Sequence, residues 1–310
     1  MEIAFLLAEK IAQLTIIVLL GYLLVKLKLL TSEQSYPISV IGLYIISPSM
    51  LITAFQIEYS EAILHGLYLS FGMAILLSGL LILIGKILKP IFKLSNLEHA
   101  TAIYSNSGNL IIPLVASLFG NEWVIYATGF MVVQNFLFWS HLRMLLCGKG
   151  EVSFKKIVTN INILAIVIGM LLFLLQIKLP NVIGGTLAWL GDMIGPMAML
   201  VAGMLIASIP VKEIMADKRI YLVSFLRLIF IPLILLVIVK AFDFGSWVAE
   251  NGATIAMISF LATTSPSAAT VTQMAVVYKQ DARKASAIYG VTTLLCVFTM
   301  PLIIALYQWL

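Results

Sequence analysis

Tyr104-Ser105-Asn106-Ser107-Gly108-Asn109 and Ala262-Thr263-Thr264-Ser265-Pro266-Ser267 are two short polar runs, each set in the middle of an apolar segment, 100–119 and 253–278. Each segment is the fourth hydrophobic stretch of its half of the chain. Inside a bilayer, backbone that leaves the helical path must find partners for its N–H and C=O groups in protein or in a water-lined cavity. Paired interruptions at corresponding places in two halves are the best sequence pointer to the substrate site of a secondary transporter.

Composition sets the class. Hydrophobic residues make up 62% of the 310-residue chain, charged residues only 11%, and the mean hydropathy is +1.09. No soluble core can hide that much apolar surface, so the chain reads as an all-α polytopic membrane protein. Ten stretches approach the length of about 20 apolar residues that a spanning helix needs: 4–25, 37–57, 63–88, 98–119, 122–147, 157–177, 182–209, 219–241, 248–278 and 283–308. They divide into a first five-helix unit (1–147), a short connection (148–156) and a second unit (157–310), with no room for a soluble domain. The first stretch carries Glu2 and Glu9 and lacks a small-residue cleavage pattern, so it reads as a permanent helix.

The net charge of +5 is a topology signal and not a nucleic-acid footprint. Of the 19 Lys and Arg residues, 15 fall in odd-numbered connections, including Lys89, Lys155 and Lys212, while Lys10, Lys178 and Lys240 lie at the other ends and Arg227 lies inside a span. By the positive-inside rule the odd connections are cytoplasmic and both termini face outward, as expected of a plasma-membrane protein.

The two units share a pattern. Gly21 precedes Pro48 by 27 residues, and Gly169 precedes Pro196 by 27, an offset of 148; the two breaks align at an offset of 159, Asn106 with Ser265 and Gly108 with Ser267. Units of five spans each must run in opposite directions, giving an inverted repeat.

The chain at this point resembles the auxin efflux carrier family, whose bacterial members are often described as malate or auxin-type permeases. The resemblance rests on Gly21 to Leu30 (GYLLVKLKLL), Ser47-Pro48 with Leu51, Asn106-Ser107-Gly108-Asn109 with Pro113, Gln134-Asn135, Pro196 with Gly203, Arg227 with Pro232, and Ser265-Pro266-Ser267. It implies ten helices in two inverted five-helix repeats, with spans one, two, six and seven forming a scaffold and broken spans four and nine crossing in a transport domain. A homodimer would pair through the scaffold helices. The long hydrophilic central loop of some plant PIN-type carriers is absent.

The residues for chemistry follow from the breaks. A half-helix starting after each break carries about half a positive charge at its N-terminus, and two such ends converging favour an anion. Gly108 permits close approach and Pro266 starts a helix well. The expected substrate contacts are Asn106, Ser107, Gly108, Asn109, Ser265, Pro266 and Ser267. Mid-span Gln134 and Asn135 join them, since amides can donate to a carboxylate; the alternative role for these amides is interhelical bonding. Ser47 and Ser49 flank Pro48 and either face the crossing or satisfy the backbone that Pro48 disrupts. Asp192 and Arg227 are the charges well inside spans, candidates for coupling or charge balance, with Arg227 alternatively extending to the interface.

His65, His99 and His141 fall near span ends without metal-ligand spacing, and read as interfacial residues. Cys147 and Cys296 read as packing residues, and no cofactor or metal is expected. The five Trp residues read mostly as interface anchors. An intramembrane protease would need an aspartate pair, a Ser–His dyad or a zinc motif, so enzyme activity is not expected. A sensor would need more loop surface. The closest rival is a carrier of the bile-acid/sodium symporter kind, which shares the crossed architecture but needs carboxylate ligands that neither break contains.

Overall fold

The computed structural model describes residues 2–148, 159–207, 216–242 and 251–310. The central connection beyond Gly148 lies outside the described residues, as do Lys155, Lys212 and Trp247. Helices account for every regular element there: α1 (Glu2–Lys26), α2 (Ser32–Ala54), α3 (Glu61–Ile91), α4 (Asn96–Ile103), α5 (Ile112–Phe119), α6 (Asn121–Cys147), α7 (Ile161–Leu174), α8 (Asn181–Ala207), α9 (Lys218–Phe242), α10 (Gly252–Thr264), α11 (Ala269–Val277) and α12 (Ala282–Trp309). Six of them, α2, α3, α6, α8, α9 and α12, are long and apolar enough to cross a membrane. The fourth and ninth stretches fall short of that length because each is split in two, α4 with α5 and α10 with α11.

Helix starts are written locally. Ser60 accepts from the Ile63 amide at the head of α3, Asn160 from Asn162 and Ile163 at α7, and Asp217 and Asp281 cap α9 and α12. Ser95 and Glu98 exchange bonds in a capping box that starts α4. Large apolar side chains such as Ile75, Val237, Phe298 and Leu302 are exposed on the outer faces, the arrangement lipid requires and water would penalise.

α1 lies along Ile194–Ala207, the second part of α8. The two backbones touch: a Cβ added at Gly203 would land on the Val18 carbonyl, and one at Gly21 on the Leu200 carbonyl. Such small-residue crossings let helices approach closely in a membrane. In the equivalent pairing with the units exchanged, α7 packs on Ser47–Ala54, the last part of α2, with Gly169 against the Phe55 ring. Substituting Gly203 by Ala forces α1 away from α8. A loss of about 1–3 kcal/mol is expected, the usual range for overpacking, read as a lower unfolding temperature of the purified protein; an unchanged temperature would show that this contact is slack.

Candidate functional site

The two breaks meet. Helix α4 ends at Ile103, and Tyr104 and Ser105 continue as extended chain; α10 ends at Thr264, followed by extended Ser265. Ser105 and Ser267 then form an antiparallel bridge, in which the Asn106 amide donates to the Pro266 carbonyl at 2.9 Å and the Ala268 amide to the Tyr104 carbonyl at 3.0 Å. The peptide groups released by breaking one helix are thus satisfied by those released from the other. Beyond the bridge the chain turns back into helix, through a π turn at Ser107–Ile111 into α5 and directly into α11. The first amides of a helix have no intrahelical acceptor, so two positive helix ends begin at the crossing.

Arg227 organises the opposite, carbonyl-bearing ends. It sits in a π turn of α9, fully buried. Its Nε donates to the Ser265 carbonyl at 2.9 Å; Nη2 donates to Ser265 at 2.7 Å and Thr263 at 2.9 Å; Nη1 reaches the Ala102 and Ile103 carbonyls at 3.4 Å each. The guanidinium N–H groups meet carbonyl oxygens at the C-terminal ends of α4 and α10, where the helix dipole is negative.

Gln134 braces the first break from α6. The Ser105 hydroxyl donates to its Oε1 at 2.6 Å, and its Nε2 donates back to the Ser105 carbonyl. The Ser267 amide donates to Thr292 Oγ1 of α12 at 3.2 Å, but the Ser267 hydroxyl, fully buried, has no partner among the described residues. Beside the crossing lies a narrow cavity with room for about one water molecule, lined by Asn106, Leu110 and Pro266, by Thr15 and Val18 of α1, Met199 of α8, and Thr293 and Cys296 of α12.

A family model for membrane transport proteins matches residues 6–155 and again residues 149–304. The chain belongs to the membrane transport protein family. This is the auxin efflux carrier family that its motifs resemble, and the chain is a multi-pass membrane protein. No curated protein matches it.

In this membrane transport protein the residues singled out from sequence do not all meet. Asn106, Ser107, Ser265, Pro266 and Ser267 are buried at the crossing, with Gly108 at its edge. Asn109 lies in the π turn, and its side chain is outside the described atoms. Asn135 is turned back onto its own helix, donating to the Met131 carbonyl at 3.0 Å. Ser49 likewise donates to the Ile45 carbonyl at 2.7 Å, and Ser47–Ala54 packs against α7 and α8, so neither Ser47 nor Ser49 lines the cavity. Asp192 ends the first part of α8 and is exposed, away from the crossing.

The interfacial reading of the histidines needs correction for His99, which is 1% exposed. It lies in the first turns of α4, and α3, α6, α9, α11 and α12 enclose that helix. At the head of the same helix, buried Glu98 accepts from Arg219 at 2.7 and 3.0 Å and from Lys284 at 2.8 Å, tying α4 to α9 and α12. By sequence both basic residues fall among the loop charges. The signal that points to this cluster is Glu98 itself, an acid among basic neighbours in a capping position.

Proposed function

We propose that this membrane transport protein carries small organic anions, carboxylates such as malate or auxin-like acids, across the plasma membrane by alternating access. The observation that carries the reading is the crossing: two helix N-termini converge there, Arg227 neutralises the opposing carbonyl ends, and neither break contains an acidic residue. A carboxylate placed against Asn106, Ser267 and the leading amides of α5 and α11 would gain charge-assisted bonds, roughly twice as strong as neutral ones. The breaks also offer no carboxylate to hold sodium, so the symporter-like alternative gains no support.

The architecture we infer is ten spans in two inverted repeats. Its support is the matched pairing of α1 with α8 and α7 with α2, and the two equivalent bonds of the bridge, each made by an amide and a carbonyl of the opposite unit. The α1–α8 pair belongs to the scaffold, which is also where a homodimer would join. Because the cavity lies between α1, α8 and the crossing, separation of scaffold from crossing admits the cargo.

Counterflow in proteoliposomes across a panel of organic anions tests the substrate class. An acid should compete strongly while its neutral amide binds at least about 10-fold more weakly, as expected when a bond to a charged group is lost; equal binding of acid and amide, measured by calorimetry, would remove the electrostatic argument. For orientation, single cysteines at Lys89, Lys155 and Lys212 in a thiol-free background should label only after permeabilisation of the membrane. Labelling in intact cells would reverse the topology.

A further inference from the structure

Below the first break, on the side of Glu98, three titratable side chains lie in a row. His99 of α4 is buried, and neither of its ring nitrogens has a partner among the described residues. Its ring stands edge-on to that of His141 in α6, with centroids 6.4 Å apart, a spacing one water can bridge. His141 Nδ1 is 2.8 Å from the Tyr104 hydroxyl, which lies 3.4 Å from a second acceptor, the Leu137 carbonyl. Tyr104 is the residue whose own carbonyl receives one of the two bridge bonds. It also lines, with Ser78 and Gln134, a second water-sized cavity, and Gln134 in turn accepts from Ser105. Nothing in the anion-binding arrangement uses these groups, and a buried imidazole without partners is uncommon enough to point to a task of its own.

We propose that His141 and Tyr104 form a proton-binding site joined to the crossing, with His99 as the neighbouring relay group, so that transport is proton-linked. The neutral His141 ring accepts the Tyr104 hydroxyl at Nδ1. A proton arriving there makes Nδ1 a donor. The Tyr104 oxygen then accepts that N–H, and its own hydrogen turns to the Leu137 carbonyl. One proton is gained, no covalent bond to carbon changes, and the event is felt by the residue that anchors the bridge.

The charges around the pair support single occupancy. Lys86 and Lys89 of α3 lie near enough to His99 to act on its charge, and Lys86 acts on His141 as well. Glu98, beside His99, is held by Arg219 of α9 and Lys284 of α12, and Asp217 also pairs with Lys284 at 3.3 Å. With lysines nearby and the acids engaged elsewhere, two adjacent imidazolium ions are disfavoured, and the site takes one proton at a time.

The proton site stands on this geometry; only its consequence for transport rests on the anion-carrier reading, and the test keeps them apart. In the full-length protein in lipid nanodiscs with 15N-labelled imidazoles, the resonance missing from His141→Gln should shift reversibly as the pH is lowered, marking uptake of one proton. Its midpoint should move by about one pH unit in Tyr104→Phe, which removes the bonded hydroxyl, and stay in place in His65→Gln. A resonance that does not titrate, or a midpoint unaffected by Tyr104→Phe, overturns the site. In proteoliposomes with a trapped pH dye, an L-malate gradient should change the lumen pH with wild-type protein but not with His141→Gln, while exchange of labelled malate continues. An undiminished pH change in His141→Gln overturns the proton linkage. Absence of malate movement in both proteins counts against malate as cargo, and the titration still decides the proton site.

Discussion

Replacement of Arg227 by alanine is expected to destabilise the protein strongly, because each buried acceptor left without a donor costs about 1–3 kcal/mol. The guanidinium is the common donor to four carbonyls, those of Ala102, Ile103, Thr263 and Ser265. Without it, the buried C-terminal ends of α4 and α10 are left with unpaired acceptors. Arg227→Lys should recover only part of the loss. An ammonium has three donors on a flexible stem where the guanidinium has five in a plane, and it cannot serve both helix ends at once. Thermal unfolding followed by size-exclusion of the detergent-solubilised protein reads the effect. An alanine variant as stable as wild type would mean that the carbonyls find other donors and that the arginine is dispensable to the crossing.

The second large effect is on transport and not on stability. Asn106→Leu should lower substrate affinity by about 10- to 100-fold, the equivalent of a bond to a charged group, because Asn106 lines the cavity and its backbone, which makes the bridge, is unaltered. Ser267→Ala supplies a companion with an unusual signature. The buried hydroxyl lacks a partner among the described residues, so its removal should leave the unfolding temperature equal or slightly raised while uptake falls. Aggregation of both variants, or uptake unchanged in both, would point to a plain kink at the breaks with no cargo there.

The interruption of the two helices was legible because Ser, Asn, Gly and Pro are each costly in an apolar spanning run; Ser, Asn and Gly cluster in the first break and Thr, Ser and Pro in the second, marking backbone that has left the helix. The register of their meeting was not legible. Aligning the repeats sets Asn106 beside Ser265, 159 residues on, whereas the bridge pairs Ser105 with Ser267, 162 residues on. Similarity of position in two repeats and contact across an antiparallel pair are different relations, and hydropathy carries only the first. The partners of Arg227 were equally hidden, because backbone carbonyls have no residue type to read and those of Ala102 and Ile103 lie about 125 positions away. For the same reason the sequence leaves Gln134 open between a substrate contact and an interhelical bond: the groups that occupy it belong to Ser105 on another segment. His99 lies close enough to a span end to pass for an interfacial residue, and only the packing of five helices around it shows otherwise.

The bridge between Ser105 and Ser267 is made wholly of main-chain groups. Any residue but proline at 106 or 268 can supply the donors, and any residue at 104 or 266 the acceptors. The mechanical joint is therefore insulated from the alphabet of side chains around it. If the cargo docks at the crossing as proposed, Asn106, Ser107 or Ser267 can be exchanged to suit a bulkier or less polar one without altering the bridge. On that reading selectivity can drift while the bridge keeps its shape.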